Sequence, residues 1–338
     1  MRPTARDLAK AAGVSLATVD RVLNHRPNVS AKAVTRVNEA IERIGFVPNQ
    51  AAVTLARNTV RRFRFVLPGK GDQYLGEIMR EIRATDLTFR ADMVSVDIAE
   101  VEIEDPHLVA NYLASIAAKV DGLAIMAPES PQVRDALRRL EERGIHIVRF
   151  LSGKDDGRVD VVGIDNHAAG ATAARLLGRF AEPRAGTVMV IADTMRAQDS
   201  IERRLGFDRV MNLDFPNLRV LPSLETHSDP DRTRSIISRQ LKHNGDIVGV
   251  YVMSSEARVP LTCLAGFTAL TRLVVVAHER TPFTVAGLQD GSIDAVIAQN
   301  PGHAVRSAVR LLKARSDNLE PVLSRDRLRV EVLLKDNL

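Results

Sequence analysis

From Arg62 onward the chain repeats one pattern, a short run rich in β-branched residues followed by an amphipathic stretch of helical length. The runs FRFVLP (63–68), MVSVDI (93–98), GLAIM (122–126), IHIVRF (145–150), TVMVIA (187–192), IVGVYV (247–252), LVVVA (273–277) and IDAVIA (293–298) read as strands. Segments 131–143, 166–180, 200–212, 230–242 and 301–315 carry apolar residues at helical spacing and fall between them. Regular alternation predicts parallel sheets, because parallel neighbours need a crossover and the crossover helix covers a sheet face. So many strands divide into two sheets. Ligands in such sheets bind beyond the carboxyl ends of the strands, so two facing sheets create a cleft between them.

The chain has 338 residues, 45% of them apolar, enough to bury more than one core. Its single cysteine, Cys263, excludes an intrachain disulfide and a zinc site built from several thiolates, and is expected to be a small buried residue. The start, MRPTARDLAKAAG, lacks the apolar segment of a signal peptide, and no stretch reaches the roughly 20 apolar residues of a membrane span. These features predict a cytoplasmic protein with no membrane partner, and neither a metal nor a cofactor is expected.

Charge is unevenly placed. Residues 1–62 carry eleven Lys and Arg against four Asp and Glu, a local charge of +7, which leaves −2 on the remainder. A basic head on a near-neutral body is the footprint of a domain that meets a phosphate backbone. Within that head, Thr4 is placed to cap a helix over 5–12 that Gly13 ends, with Asp7 in its first turn. Ser15 caps a second helix over 16–23, and Ser30 a third that Gly45 stops. The first two meet across a tight turn as a helix-turn-helix. Leu8, Ala9, Ala12, Val14, Val19, Val22 and Leu23 have the spacing to face inward, which leaves Leu16, Ala17, Asp20 and Arg21 outward. A helix of this size fits the major groove, and an arginine on it can bond two acceptors of guanine.

The string TARDLAKAAGVSLATVDRVLN, then VSAKAVTRVNEAIERIGFVPNQAAVTLA, closely resembles the headpiece of LacI/GalR transcription regulators over residues 4–57. The resemblance implies a DNA-contacting set of Thr4, Ser15, Leu16, Ala17, Thr18, Arg21, Asn24 and Ser30 in the headpiece. It extends to Asn49, Gln50, Ala52, Leu55 and Ala56 in a hinge helix that folds on DNA. Leu55 is expected to wedge into the minor groove, a strategy that kinks the site. Asp20 stands where the family usually has Ser, so it either accepts from cytosine N4 or orients Arg21.

The body resembles the type I periplasmic sugar-binding proteins, through VGIDNHAAGATAARLL (162–177), the R-x-x-G-F of Arg203 to Phe207, and LQDGSIDAVIAQNPGHAVRSAVRLL (288–312). By that resemblance the effector-binding residues are Asp72, Tyr74, Glu129, Arg203, Glu279 and Gln299, with Arg203 the cation facing Asp72, Glu129 and Glu279. Carboxylates accept from hydroxyl groups while Arg and Gln donate, which suits a sugar or polyol. The chain has no Trp, so Tyr74 or Phe207 is expected to supply the apolar face of the site.

The expected fold is a small all-α three-helix helix-turn-helix headpiece (1–47) with a hinge helix (48–61), followed by an α/β body (62–338). The body divides into two Rossmann-like, doubly wound parallel-sheet subdomains, one over about 62–162 and 301–325, the other over about 163–300 and 326–338. The expected function is a DNA-binding repressor of carbohydrate or polyol genes, a homodimer on a palindromic operator, located on the nucleoid when bound. The alternatives are a sugar-binding protein and an α/β enzyme. Against an enzyme, G-x-x-x-x-G-K-[ST], G-x-S-x-G and H-E-x-x-H are absent, so no catalytic residue is assigned. The ending RLRVEVLLKDNL shows no heptad run, which favours a dimer over a coiled-coil tetramer.

Overall fold

The computed structural model describes residues 3–23, 27–46, 60–117, 119–151, 153, 159–321 and 328–338. The chain divides into two compact units, Met1–Val60 and Arg61–Leu338. In the first, helices α1 (Ala5–Ala12), α2 (Leu16–Leu23) and α3 (Ala31–Ile44) enclose a core of Leu8, Ala9, Ala12, Val19, Val22, Val37, Ala40 and Phe46. Thr4 and Asp7 close a reciprocal cap. The Thr4 hydroxyl accepts from the Asp7 amide at 3.3 Å, and the Asp7 carboxylate accepts from the Thr4 amide at 2.8 Å. Gly13 ends α1 at φ 60°, a left-handed conformation that side chains resist, and Ser30 and Gly45 bracket α3.

The second unit is an α/β body of two sheets. Among the described residues the first sheet holds β1 (Arg61–Pro68), β2 (Val94–Val101), β3 (Gly122–Ile125), β4 (His146–Phe150) and β5 (Asp160–Val162), all parallel, in the order β2-β1-β3-β4-β5. Helices α4 (Gln73–Phe89), α5 (Pro106–Ser115) and α6 (Pro131–Glu142) connect these strands. The second sheet holds β6 (Gly186–Ala192), β7 (Leu218–Val220), β8 (Leu224–Glu225), β9 (Ile247–Val252), β10 (Val274–His278), β11 (Ala295–Ala298) and β12 (Glu331–Leu333). Its order is β12-β11-β10-β9-β6-β7, with β8 also paired to β6 and only β12 antiparallel. Helices α7 (Asn166–Ala181), α8 (Gln198–Asp214), α9 (Pro230–His243), α10 (Arg258–Ala265) and α11 (Pro282–Asp290) belong to this half.

The chain passes between the sheets more than once. It leaves the first after β5, and α12 (Pro301–Ser316) returns to pack on β3 and β4 before β12 rejoins the second sheet. Leu312 of α12 sits so close to Gly122 of β3 that a Cβ there would lie 2.8 Å from it. Strands Asp160–Val162, Leu218–Val220 and Leu224–Glu225 were not expected, being too short to show a hydrophobic period. Among the described residues no helix is long and apolar enough to cross a membrane.

Candidate functional site

On α2, Val19 and Val22 point into the core while Leu16, Ala17, Asp20 and Arg21 are exposed together, with Leu16 left 46% accessible. The Ser15 hydroxyl accepts from the Thr18 amide at 3.1 Å and lies 2.9 Å from the Thr18 hydroxyl, so the two side chains build the start of α2 as one unit. Not every basic residue of the head is free for a partner. Arg36 donates to the Gly13 carbonyl at 3.0 Å and Arg43 donates to the Ala11 carbonyl, bracing α3 against the end of α1. Asn24, Asn49, Gln50, Ala52, Leu55 and Ala56, and with them residues 48–59 of the hinge expected over 48–61, lie outside the described residues.

In the body, the carboxyl ends of the parallel strands carry the polar residues singled out in the sequence. Arg203 is positioned by helix packing. A Cβ on Gly170 of α7 would lie 1.9 Å from the Arg203 carbonyl oxygen, and one on Gly206 of α8 would lie 2.0 Å from the His167 carbonyl oxygen. The two helices therefore meet backbone to backbone, and only glycine permits it. That contact sets Arg203, only 4% accessible, beneath the strand ends of the second sheet. Its Nε donates to Asn166 Oδ1 at 2.9 Å and Nη1 to the Met253 carbonyl at 2.6 Å. Nη2 stands 3.7 Å from a Glu279 carboxylate oxygen and 3.9 Å from Asp199.

Glu279 follows β10 with φ 63°, an unusual backbone for a residue with a side chain, and is fully buried. Gln299 donates to it twice, from its side-chain amide at 3.1 Å and from its backbone at 3.4 Å. Burial pushes the Glu279 carboxyl up to about 7 against the opposing pull of Arg203 and Gln299. Tyr74, at the start of α4 in the first half, is buried against this group. Desolvation first, then the Glu279 carboxylate, raise its phenol well above the ordinary value. The Gln299 side chain stands beside the phenol and, with Arg203, pulls its value down against the larger effects of burial and Glu279. Beneath them the Tyr251 hydroxyl lies 2.7 Å from His278 Nε2, and desolvation, then Arg203, hold that ring well below its ordinary value.

Asp72 caps α4, accepting from the Leu75 amide at 2.9 Å, and also accepts from the Ser255 hydroxyl across the cleft. Next to it, Gln73 Oε1 accepts from the Phe283 amide at 3.4 Å, so two bonds tie the halves. Two expectations need correction. Glu129 does not face Arg203. It pairs with Arg149 of β4, a residue the sequence reading passed over, although a charge inside the apolar run IHIVRF demands a partner. Nor does Phe207 offer a face to a ligand: it is fully buried and stacks on Tyr251 at 4.5 Å. Tyr74 remains the aromatic residue at the cleft. Asn166, inside the VGIDNHAAGATAARLL stretch, also joins the site, as do Gln73 and Ser255.

A cleft of polar strand ends between two parallel sheets, preceded by a capped three-helix unit with one outward recognition-type face, defines a two-part architecture: a helix-turn-helix head and a two-lobed ligand-binding body. The chain belongs to the periplasmic binding protein domain family, whose model matches residues 63–319, and carries at residues 4–49 the domain described as bacterial regulatory proteins, lacI family. Among curated proteins it is 30% identical to the HTH-type transcriptional regulator DegA of Bacillus subtilis over 181 residues, 52% of each chain. It is 27% identical to catabolite control protein A of Priestia megaterium over 177 residues, again 52% of each. The chain thus spans about half the length of these relatives. Among solved structures, a solute-binding protein from Burkholderia graminis in complex with D-arabinose superposes with a TM-score of 0.70 at 22% identity, covering 82% of this chain and 97% of that one. A LacI transcriptional regulator from Bacteroides fragilis gives 0.70 at 19% identity, with 82% and 98% covered. At these identities the superpositions establish the fold.

Proposed function

We propose that the protein is a sequence-specific, DNA-binding transcriptional regulator, a repressor of carbohydrate or polyol genes, that acts as a homodimer on a palindromic operator in the cytoplasm. One observation carries the reading: α2 exposes Leu16, Ala17, Asp20 and Arg21 on a face opposite its buried residues, in a basic unit joined to a ligand-binding body. Leu16, Ala17 and Arg21 read bases and Thr18 and Ser30 lie near phosphates, with Thr4, Ser15 and Asn24 completing the headpiece's DNA-binding set. Leu55 wedges into the minor groove, and Asn49, Gln50, Ala52 and Ala56 are the other DNA-binding residues of the hinge. Two-fold operator symmetry calls for two copies of the headpiece. The names of the curated relatives, transcriptional regulator and catabolite control protein, support the regulatory role. The D-arabinose of one structural neighbour and the D-allose of another support a sugar-like effector held by Asp72, Tyr74, Arg203, Glu279 and Gln299, with Glu129 on the same rim.

No catalytic role is assigned, because the sequence carries none of the phosphate-loop, nucleophile-elbow or zinc motifs named above. The test is selection of operator sites from a random DNA pool by the full chain, followed by affinity measurement on the selected and scrambled duplexes. A palindromic consensus bound far more tightly than its scramble is the expected result, and equal affinity for both overturns the proposal.

A further inference from the structure

We infer that Arg61 is a positioning residue through which the cleft acts on the head: it fastens the start of the body to the far end of α12, the helix whose near end begins beside Gln299 in the cleft. This rests on the reading of the protein as a ligand-controlled regulator. Val60 closes the first compact unit and Arg61 opens the second, so Arg61 is where the chain enters the body. Its backbone amide donates to the Met93 carbonyl at 2.9 Å, at the entrance to β2. The side chain reaches further. Nη2 donates to the Ser316 carbonyl at 2.7 Å and to Asp317 Oδ1 at 3.1 Å, and Nε donates to the same Asp317 oxygen at 3.3 Å. Nη1 donates to Asp121 Oδ1 at 3.3 Å, just before β3.

A planar guanidinium held by acceptors on two sides has one orientation. Pairing of a strand needs only backbone bonds, so what this clasp adds is a tie to α12. Asp317, which caps the end of that helix, is the other half of the clasp. Its side chain is 6% accessible and also accepts from Lys313 Nζ at 2.7 Å, one turn back. At the opposite end Asn300 caps α12, accepting from the His303 amide at 2.8 Å, and the residue before it is Gln299, which donates to Glu279 from both side chain and backbone. Between the ends, Ala304, Val305, Ala308, Val309, Leu311 and Leu312 are buried in the main core of the body. A helix of 16 residues is about 24 Å long, and one packed this closely transmits a displacement without absorbing it. Coupling has a physical carrier where one element is biased from both sites. A ligand that alters the Gln299–Glu279 pair displaces the first turn of α12, and Arg61 receives that displacement at the last.

The experiment measures the affinity of the full chain for its selected operator with and without D-arabinose or D-allose, whichever calorimetry shows to bind, and takes the ratio. The natural chain should give a ratio of roughly 5- to 150-fold. The paired variant Arg61→Met with Asp317→Asn removes both halves of the clasp and strands no fully buried charge, since Asp121 and Lys313 keep 30% and 26% of their side chains accessible. It should lower the ratio by roughly 2- to 30-fold while sugar affinity stays within about twofold. The control is Arg64→Met with Asp97→Asn, which deletes a two-bond pair between β1 and β2 and should keep the natural ratio. A second arm needs no sugar. By reciprocity, operator DNA alone should change amide exchange over residues 296–303 in the natural chain and leave it unchanged in the paired variant. A ratio that survives in the paired variant, even with a lower melting temperature, makes the clasp purely structural and overturns the inference, as does a ratio lost equally in the control. A natural chain with neither a ratio nor DNA-linked exchange fails the regulatory reading itself, and the inference falls with it.

Discussion

Arg203 Nη2 stands 3.7 Å from a Glu279 carboxylate oxygen, while the shorter bonds of the same guanidinium run to Asn166 Oδ1 and the Met253 carbonyl. The cation is thus both a neighbour of the cleft and a tie between α7, α8 and the end of β9. Arg203→Ala should destabilise the body by about 3 kcal/mol or more, since it strands a buried acid without its cation. Effector response should disappear as well. Denaturant unfolding checks the first effect and ligand titration the second, and a variant of unchanged stability would show that Arg203 serves the ligand alone.

Gly206 is predicted to be sensitive to substitution although it touches no ligand. Its Cα faces the His167 carbonyl across the crossing of α7 and α8, and that neighbour is backbone and cannot rotate away. Gly206→Ala should therefore force the helices apart, at roughly 1–3 kcal/mol, and shift Arg203 with them. A melting temperature equal to that of the natural chain would contradict the close crossing.

Glu279 makes stability depend on pH with a defined sign. Its folded value of about 7 lies above the ordinary 4.5, so between these values the folded chain keeps a proton that the unfolded chain releases. The contribution is present in full below pH 4.5 and is lost as pH rises toward 7. His278, held low by burial, acts in the opposite sense below its ordinary 6.5. Comparison with Glu279→Gln cancels the histidine. The stability of the natural chain relative to that variant should fall by a few kcal/mol as pH rises through this window. A difference that stays flat in urea titrations at several pH values would place the Glu279 carboxyl in water.

Cap chemistry made the head legible. Thr4, Gly13, Ser15, Ser30 and Gly45 act on residues within a turn of themselves, so helix ends could be read from adjacent letters. The alternation of strands and helices in the body was equally visible, because hydrophobic period is a local property. Pairing across the cleft was not. Glu129 and Arg149 are 20 residues apart, and the run IHIVRF announces burial without naming the partner. The left-handed backbone at Glu279 was equally hidden, since nothing in His-Glu-Arg asks for it. Phe207 misled for a related reason. R-x-x-G-F fixes where Arg203 and Gly206 must lie, but whether the Phe turns toward the ligand or onto Tyr251 depends on a strand over forty residues away.

Arg21 is the exposed cation of the α2 face, and a guanidinium there can contribute roughly 1–3 kcal/mol of discrimination per base contact. Arg21→Ala should erase preference for the selected operator and leave salt-sensitive binding to random DNA largely intact. Equal losses on both duplexes would assign Arg21 to the phosphate backbone.

Ligand in the cleft should control the head. The most direct measurement follows the affinity of the full chain for its selected palindromic operator as a neutral ligand identified by calorimetry fills the cleft. Tight binding relative to scrambled DNA and a change of roughly 5- to 150-fold at saturation, the range of ordinary allosteric coupling, are expected. Operator affinity that stays constant with the cleft saturated would contradict such control.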